Sequence, residues 1–279
     1  MLGHLLRGVA VTMLLGTAAM ATAQPPARVV SMNLCTDQLA MLIASPGQLV
    51  SVSYLARDPA SSAMAAEAQG YDVNHGLAEE IFLLDPDLVI AGSSTTRATV
   101  SMLQRLGIPV AVFEPANSLE AVRQRIAQMG RVLGREEAAA DLIIRFDADL
   151  EAARANAAER PRAALYYSGG YTLGRGTLAA SVLEAAGLAN IAIEAGYEGG
   201  GRMPLEELIL QSPDLIVTGR TYDTPARAQE VFDHPAIAAL RNQAGTAPVS
   251  DRDWVCGTPF ILAAVRRLVA ARDAVLAAE

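Results

Sequence analysis

This sequence predicts an α/β fold of two Rossmann-like lobes with parallel central sheets, joined by one long α-helix, with a ligand cleft between the lobes. Three observations carry that expectation. Short β-branched runs alternate with helical periods, the pattern of βαβ units. The stretch 135–158 contains neither Gly nor Pro. A segment of the first half recurs in the second half at a fixed offset.

Residues 28–32 read as a first strand. Thr36 and Asp37 open a helix carrying Leu39, Leu42 and Ile43, stopped by Ser45-Pro46-Gly47. Residues 49–54, 87–91 and 108–113 are further strands, with helices before the third and over 97–106. Their near-continuous apolar character fits burial on both faces. Asn117 with Glu120 resembles a capping box for a helix reaching about Leu133, broken by Gly134. A helix over 135–158 would be roughly 36 Å long at ~1.5 Å per residue. Its apolar stripe is Ala138, Leu142, Phe146, Leu150 and Ala153, and it reads as a strut. The pattern then restarts. A strand at 162–167 leads to a Gly-rich stretch at 168–176 and a helix at 178–186 closed by Gly187. A strand follows at 214–218, and Thr258-Pro259 opens the last helix as N-cap and N1. The expected division is a leader at 1–23, an N-terminal lobe at 24–134, a linking helix at 135–160 and a C-terminal lobe at 161–279.

The repeat is the strongest single feature. Glu79-Glu80 and Pro86-Asp87-Leu88 with Gly92 match Glu206-Glu207 and Pro213-Asp214-Leu215 with Gly219, all 127 residues apart. Each unit reads as a helix opened by two carboxylates, a Pro-Asp turn and a buried strand. Acids in a first turn complement the helix dipole, so capping alone accounts for either pair. It does not account for glutamates, Pro-Asp-Leu and glycine at one offset. Two similar lobes across a cleft follow, and such clefts commonly bind ligands.

Arg7, the apolar run 9–20 and Ala21-Thr22-Ala23 have the order of a cleaved secretory signal. Periplasmic export of a monomer is therefore expected. The remaining chain has about 256 residues, enough for two lobes with separate cores. The formal charge is −8, and an acidic chain argues against nucleic acid as partner. All 22 basic residues are Arg. With no Lys there is no Gly-x4-Gly-Lys phosphate loop, and no Gly-x-Ser-x-Gly elbow occurs. An exported α/β enzyme is thus only a remote alternative. Past residue 23 the histidines are His75 and His234, too few for a several-histidine zinc site.

Taken together, the chain resembles the helix-linked periplasmic binding proteins for cobalamin, ferric siderophores and haem. The resemblance rests on Arg28-Val29-Val30-Ser31, the two Glu-x6-Pro-Asp-Leu segments, the strut, and the tail from Ser250-Asp251 through Trp254 to Thr258-Pro259. It implies two lobes that open only slightly, no intrinsic cofactor, and docking onto the membrane permease dimer of an ABC importer. It also implies one docking glutamate per lobe, Glu79 and Glu206, each meeting arginines of the permease.

Loops at strand ends should line the cleft. Their aromatics suit a large ring-shaped ligand, and their arginines suit an anionic chelate. The expected ligand contacts are Tyr54, Arg57, Arg97, Tyr171, Arg175, Arg202, Tyr222 and Trp254. Cobalamin binders of the resembled family carry bulky aromatics six residues before each docking glutamate; here those positions are Val73 and Gly200. A haem binder offers a Tyr or His axial ligand, a role open to Tyr54, Tyr171 and His75. A ferric siderophore needs no protein ligand to its metal and is expected by elimination, with cobalamin or haem as alternatives. Cys35 and Cys256 fall in candidate cleft loops, one per lobe. A disulfide, two inert thiols and a soft-metal pair all remain open readings.

Overall fold

The computed structural model describes residues 24–95, 97–154, 158–219 and 227–278. The expected leader and Tyr222 lie outside the described residues. The first lobe runs β1 (Val29–Ser31), α1 (Leu34–Ile43), β2 (Leu49–Ser53), β3 (Asp72–Asn74), α2 (Ala78–Leu83), β4 (Leu88–Gly92), α3 (Arg97–Arg105), β5 (Val110–Phe113) and α4 (Leu119–Leu133). Its sheet has the order β3-β2-β1-β4-β5, and every pairing is parallel. β1 therefore lies where the strand order reverses, and ligands bind open α/β sheets at such points, beyond the carboxyl ends of the strands.

After α5 (Glu136–Ala153), the second lobe runs β6 (Arg162–Leu165), β7 (Tyr171–Leu173), α6 (Leu178–Ala185), β8 (Ala189–Asn190), α7 (Ile191–Glu194), β9 (Gly200–Arg202), α8 (Leu205–Gln211), β10 (Leu215–Thr218), α9 (Pro235–Gln243), β11 (Gly245–Pro248), α10 (Asp251–Trp254) and α11 (Leu262–Leu276). Here the sheet order is β11-β10-β6-β8, again parallel. β7 and β9 form a separate antiparallel pair.

The lobes do not have fully separate cores. One continuous apolar cluster runs from Val29 and Ile90 through Ile126, Phe146 and Leu150 to Leu165, Val217 and Leu268. The helices α4, α5 and α11 carry it from sheet to sheet. Only the outer faces have cores of their own. Val30, Ile81, Val89 and Leu103 form one in the first lobe, and Tyr166, Leu208, Ile216 and Ile237 form one in the second.

The linking helix is shorter than expected. It spans 18 residues, about 27 Å, and Arg154 is already extended. Its buried stripe, Ala139, Leu142, Phe146, Leu150 and Ala153, stops at the same place. A helix is held chiefly by burial of its apolar face, and propensity alone holds one weakly. Caps differ too. Ser118, not Asn117, caps α4, accepting from the Ala121 amide at 3.0 Å, while Glu120 turns to Arg123 at 2.9 Å. Asn33 caps α1 from the Cys35 amide, so Asp37 falls inside the helix. Pro259 opens a short 3-10 turn (Pro259–Ile261) ahead of α11, and Thr258 instead donates to Gln38 Oε1 at 3.3 Å.

Candidate functional site

The carboxyl ends of β1, β4 and β5 converge on the segment that follows α10 in the other lobe. The Cys35–Cys256 disulfide joins them there, with the Cα atoms 5.0 Å apart. Beside it Gly257 comes so close to Ala116 that a Cβ at 257 would lie 2.3 Å from the alanine methyl. Between these crossings is a cavity of about 200 Å³ lined by Asn33, Thr36, Ser93, Ser94, Glu114, Arg125 and Val255. It is too small for a whole chelate, since ligand sites run from roughly 300 Å³ upward, and it forms the floor of the interlobe cleft. A larger polar groove of about 670 Å³ lies at the ends of α4, α5 and α6.

The floor is braced by buried polar groups on α1. Asp37 is fully buried. Its Oδ2 accepts from the Ser53 hydroxyl at 2.5 Å and the Ser53 amide at 3.1 Å. Oδ1 has no partner among the described residues. Burial pushes the Asp37 carboxyl up to about 7, against the lowering effect of its hydrogen bonds. This residue ties α1 to the end of β2, immediately before Tyr54.

Tyr54 opens the turn after β2 and is 52% exposed. It stacks on His75 with ring centroids 5.4 Å apart and planes 20° off parallel. The parallel register of β2 with β3 sets Ser53 beside Asn74, which brings the next residues of both strands together. Glu80 fixes the histidine, accepting from its amide at 2.7 Å and meeting Nδ1 at 3.1 Å. Burial raises the Glu80 carboxyl, but the bonds and charge of His75 outweigh it, and the net displacement is downward.

The remaining expected contacts divide. Arg57 turns inward, its Nη2 donating to the Tyr71 carbonyl at 2.5 Å and its Nε to the Ala68 carbonyl at 3.3 Å. It is used to hold the turn at Glu67–Gly70, whose carbonyls need donors. Arg175 is exposed and paired with Glu198 at 3.0 Å. Arg97, at the start of α3, and Arg202, on β9, are exposed. Trp254 is half-buried against the shared core and meets Tyr167 edge to face at 6.0 Å. Burial, aided by the Asp251 charge, pushes the Tyr167 hydroxyl above its ordinary range.

Tyr171 lies opposite Arg202 in the β7–β9 pair. Its phenol crosses Gly200 so closely that a Cβ there would fall 1.8 Å from the hydroxyl oxygen. The absence of a side chain at position 200 is what leaves room for the Tyr171 ring. The sequence singled out Tyr54 and Tyr171 but did not pair Tyr54 with His75; it gave Tyr167 no individual role and marked Asp37 only as a helix-opening residue. Pairing Tyr54 with His75 required a strand before His75, which the sequence pattern did not mark, and the strand order that sets it beside β2.

The repeat is a three-dimensional duplication. From Glu79 to Pro86 and from Glu206 to Pro213 the order of exposed, half-buried and buried residues is identical. Asp85 and Ser212, 127 apart, both take left-handed conformations, with φ of 49° and 44°. Asp87 accepts from the Ala27 and Arg28 amides, and Asp214 accepts from the Arg162 amide at 2.7 Å. The Arg28 guanidinium donates to the Leu84 carbonyl, and that of Arg162 donates to the Gln211 carbonyl. The second glutamate of each pair turns inward, Glu80 to His75 and Glu207 to the Tyr197 hydroxyl at 2.9 Å. Glu79 and Glu206 are exposed and have no hydrogen bond or ion pair among the described residues.

Two parallel-sheet lobes, a single linking helix and a cleft at the strand ends define a bilobal binding protein. A family model described as periplasmic binding protein matches residues 29–244, and the chain belongs to that family. A cobalamin-binding protein of Halobacterium salinarum is 31% identical over 203 residues, 71% of this chain. The chain spans about half of that relative's length, 55%. The fold matches the heme-binding protein RhuT from Roseiflexus sp. RS-1 with a TM-score of 0.71 at 22% identity, covering 89% of this chain and 98% of that one. It also matches the Fe3+-hydroxamate transport protein of Saccharomonospora viridis at 0.66 and 22%, covering 89% and 93%. Among the described residues no helix is long and apolar enough to cross a membrane.

Proposed function

We propose that this chain is the periplasmic substrate-binding component of an ABC importer, and that its cleft takes a flat, ring-shaped metal chelate of the tetrapyrrole class, corrinoid or haem. The exposed Tyr54–His75 stack carries this reading. It offers an aromatic face together with oxygen and nitrogen donors, held in place by Glu80. Tyr171 over Gly200 supports it from the other lobe. Each lobe thus has an aromatic next to a position where cobalamin binders of the resembled family carry one. Similarity to the Halobacterium cobalamin-binding protein and the Roseiflexus heme-binding protein supports the same ligand class.

A ferric siderophore, expected from sequence by elimination, leaned on a strongly basic cleft. Arg57 and Arg175 are engaged within the protein, which weakens that argument. In this reading the monomer delivers its ligand to a permease dimer, with Glu79 and Glu206 as the docking carboxylates. Their exposure and lack of internal partners favour them over Glu80 and Glu207.

The test is calorimetric titration of the purified protein with cyanocobalamin, hemin and ferrichrome in turn. One-to-one binding of cyanocobalamin or hemin is expected, weakened about tenfold or more by Tyr54→Ala, since a bound aromatic buries a large apolar face. Binding of ferrichrome alone, or an unchanged affinity in Tyr54→Ala, would overturn the proposal.

A further inference from the structure

The duplicated helices carry more than a carboxylate. On α2, Glu79, Phe82 and Leu83 stand at i, i+3 and i+4 and share one face. On α8, Glu206, Ile209 and Leu210 stand at the same spacing. Leu83 is 82% exposed and Leu210 is 84% exposed; Phe82 and Ile209 are 50% and 39% exposed. The folding role of each helix is met by other residues, Ile81 and Leu208, which are fully buried in the outer-face cores.

Single exposed apolar side chains are ordinary on a protein surface. Two adjacent ones beside an unpaired carboxylate, repeated 127 residues later, are not. The neighbouring positions are free to differ: Leu84 is matched by Gln211, and Asp85 by Ser212. The apolar pair is kept where the adjoining chemistry is not.

We infer that Phe82-Leu83 and Ile209-Leu210 are two equivalent apolar contacts for one partner with twofold symmetry. That partner offers, twice, an apolar depression one helical turn from an arginine or lysine. The inference rests on the importer reading above and extends it: the partner is the permease dimer, and the apolar pairs supply affinity while Glu79 and Glu206 set orientation. Charge complementarity supports the assignment, because both carboxylates lack an internal cation and the chain carries a formal charge of −8.

The experiment measures binding of the full protein to its own host's permease–ATPase complex in nanodiscs. The variants are Leu83→Ser, Leu210→Ser, the double variant, and a Glu79→Gln/Glu206→Gln double variant. Each single leucine change is expected to weaken binding about tenfold, from the transfer energy of a buried leucine. The double change is expected to weaken it about a hundredfold, because distant sites add. Ligand affinity and melting temperature should stay at wild-type values. Wild-type docking by the double leucine variant, alongside lost docking by the glutamine variant, would overturn the inference and leave the carboxylates docking alone. Absence of docking by the wild-type protein would overturn the importer reading itself. Self-association of the wild-type protein, abolished in the double leucine variant, would assign the patches to a second copy and also overturn the inference.

Discussion

Position 37 shows how one side chain can brace a binding loop from within the core. Asp37 spans from α1 to Ser53, and Tyr54 leaves the sheet at the next residue. Isolation from water outweighs its hydrogen bonds and raises the carboxyl to about 7, from 3.8 in an unfolded chain. A carboxyl with a raised folded value binds its proton more tightly in the fold. Its stabilising contribution is complete below about pH 4 and is lost as pH rises through about 7. Urea unfolding of the wild-type protein and Asp37→Asn at pH 5 and pH 8 checks this. The wild-type protein should lose up to about 3 kcal/mol relative to the variant across that interval, since about two pH units of the window lie above pH 5. Parallel pH profiles would show that the carboxyl does not change state. Sequence marked Asp37 only as a helix-opening residue, because burial is a property of what surrounds a side chain. Arg57 shows the converse. In sequence it is a basic residue in a cleft loop, and only the fold brings the carbonyls of Ala68 and Tyr71 within its reach.

At the level of the element, the duplicated unit is a hydrogen-bonded device. A short helix ends in a left-handed residue, Asp85 or Ser212. The turn aspartate then receives amides at the start of the neighbouring strand, and an arginine from that strand closes back on the helix carbonyls. The sequence repeat showed that the unit occurs twice, with the dipole of the first turn as one sufficient reason for its glutamates. It did not show that Asp87 and Asp214 clamp β1 and β6, since those strands lie 52 to 60 residues away in the chain. Asp87→Ala and Asp214→Ala should each lower stability by about 1–2 kcal/mol in chemical denaturation, the cost of stranding amide donors. The effect should be larger at the half-buried Asp214 than at the exposed Asp87. A neutral result at Asp214 would remove the clamp from the account. The caps of α4 and α1 teach the same caution at smaller range. Ser118 and Asn117 are equally good caps by type, and the path of the chain decides which side chain faces the free amides.

For the whole molecule, the cleft is constrained at its floor. The disulfide links positions 221 residues apart, and the apolar cluster through α4, α5 and α11 is common to both lobes. Large swings of one lobe would tear that core, so ligand entry must come from limited opening. The Cys35→Ser/Cys256→Ser variant should remain folded on its shared core while losing about 2–5 kcal/mol of stability. Hydrogen exchange should quicken in the loops around Asn33 and Gly257. Unchanged melting and exchange would mean that the glycine–alanine crossing and the helices alone hold the floor.

Sequence by itself determined the class of fold, the presence of one linking helix, the twofold internal repeat and the family resemblance. Each of these is written in local periods or in identities at a fixed offset, and each survives without knowing which strands are neighbours. Tertiary structure alone decided that the cores merge, that Arg57 faces inward, that Tyr54 rests on His75, and that Tyr171 covers Gly200. Those facts depend on strand order and on the crossing of segments far apart in the chain. Side-chain spacing along a chain carries no record of which distant backbone will lie beside it.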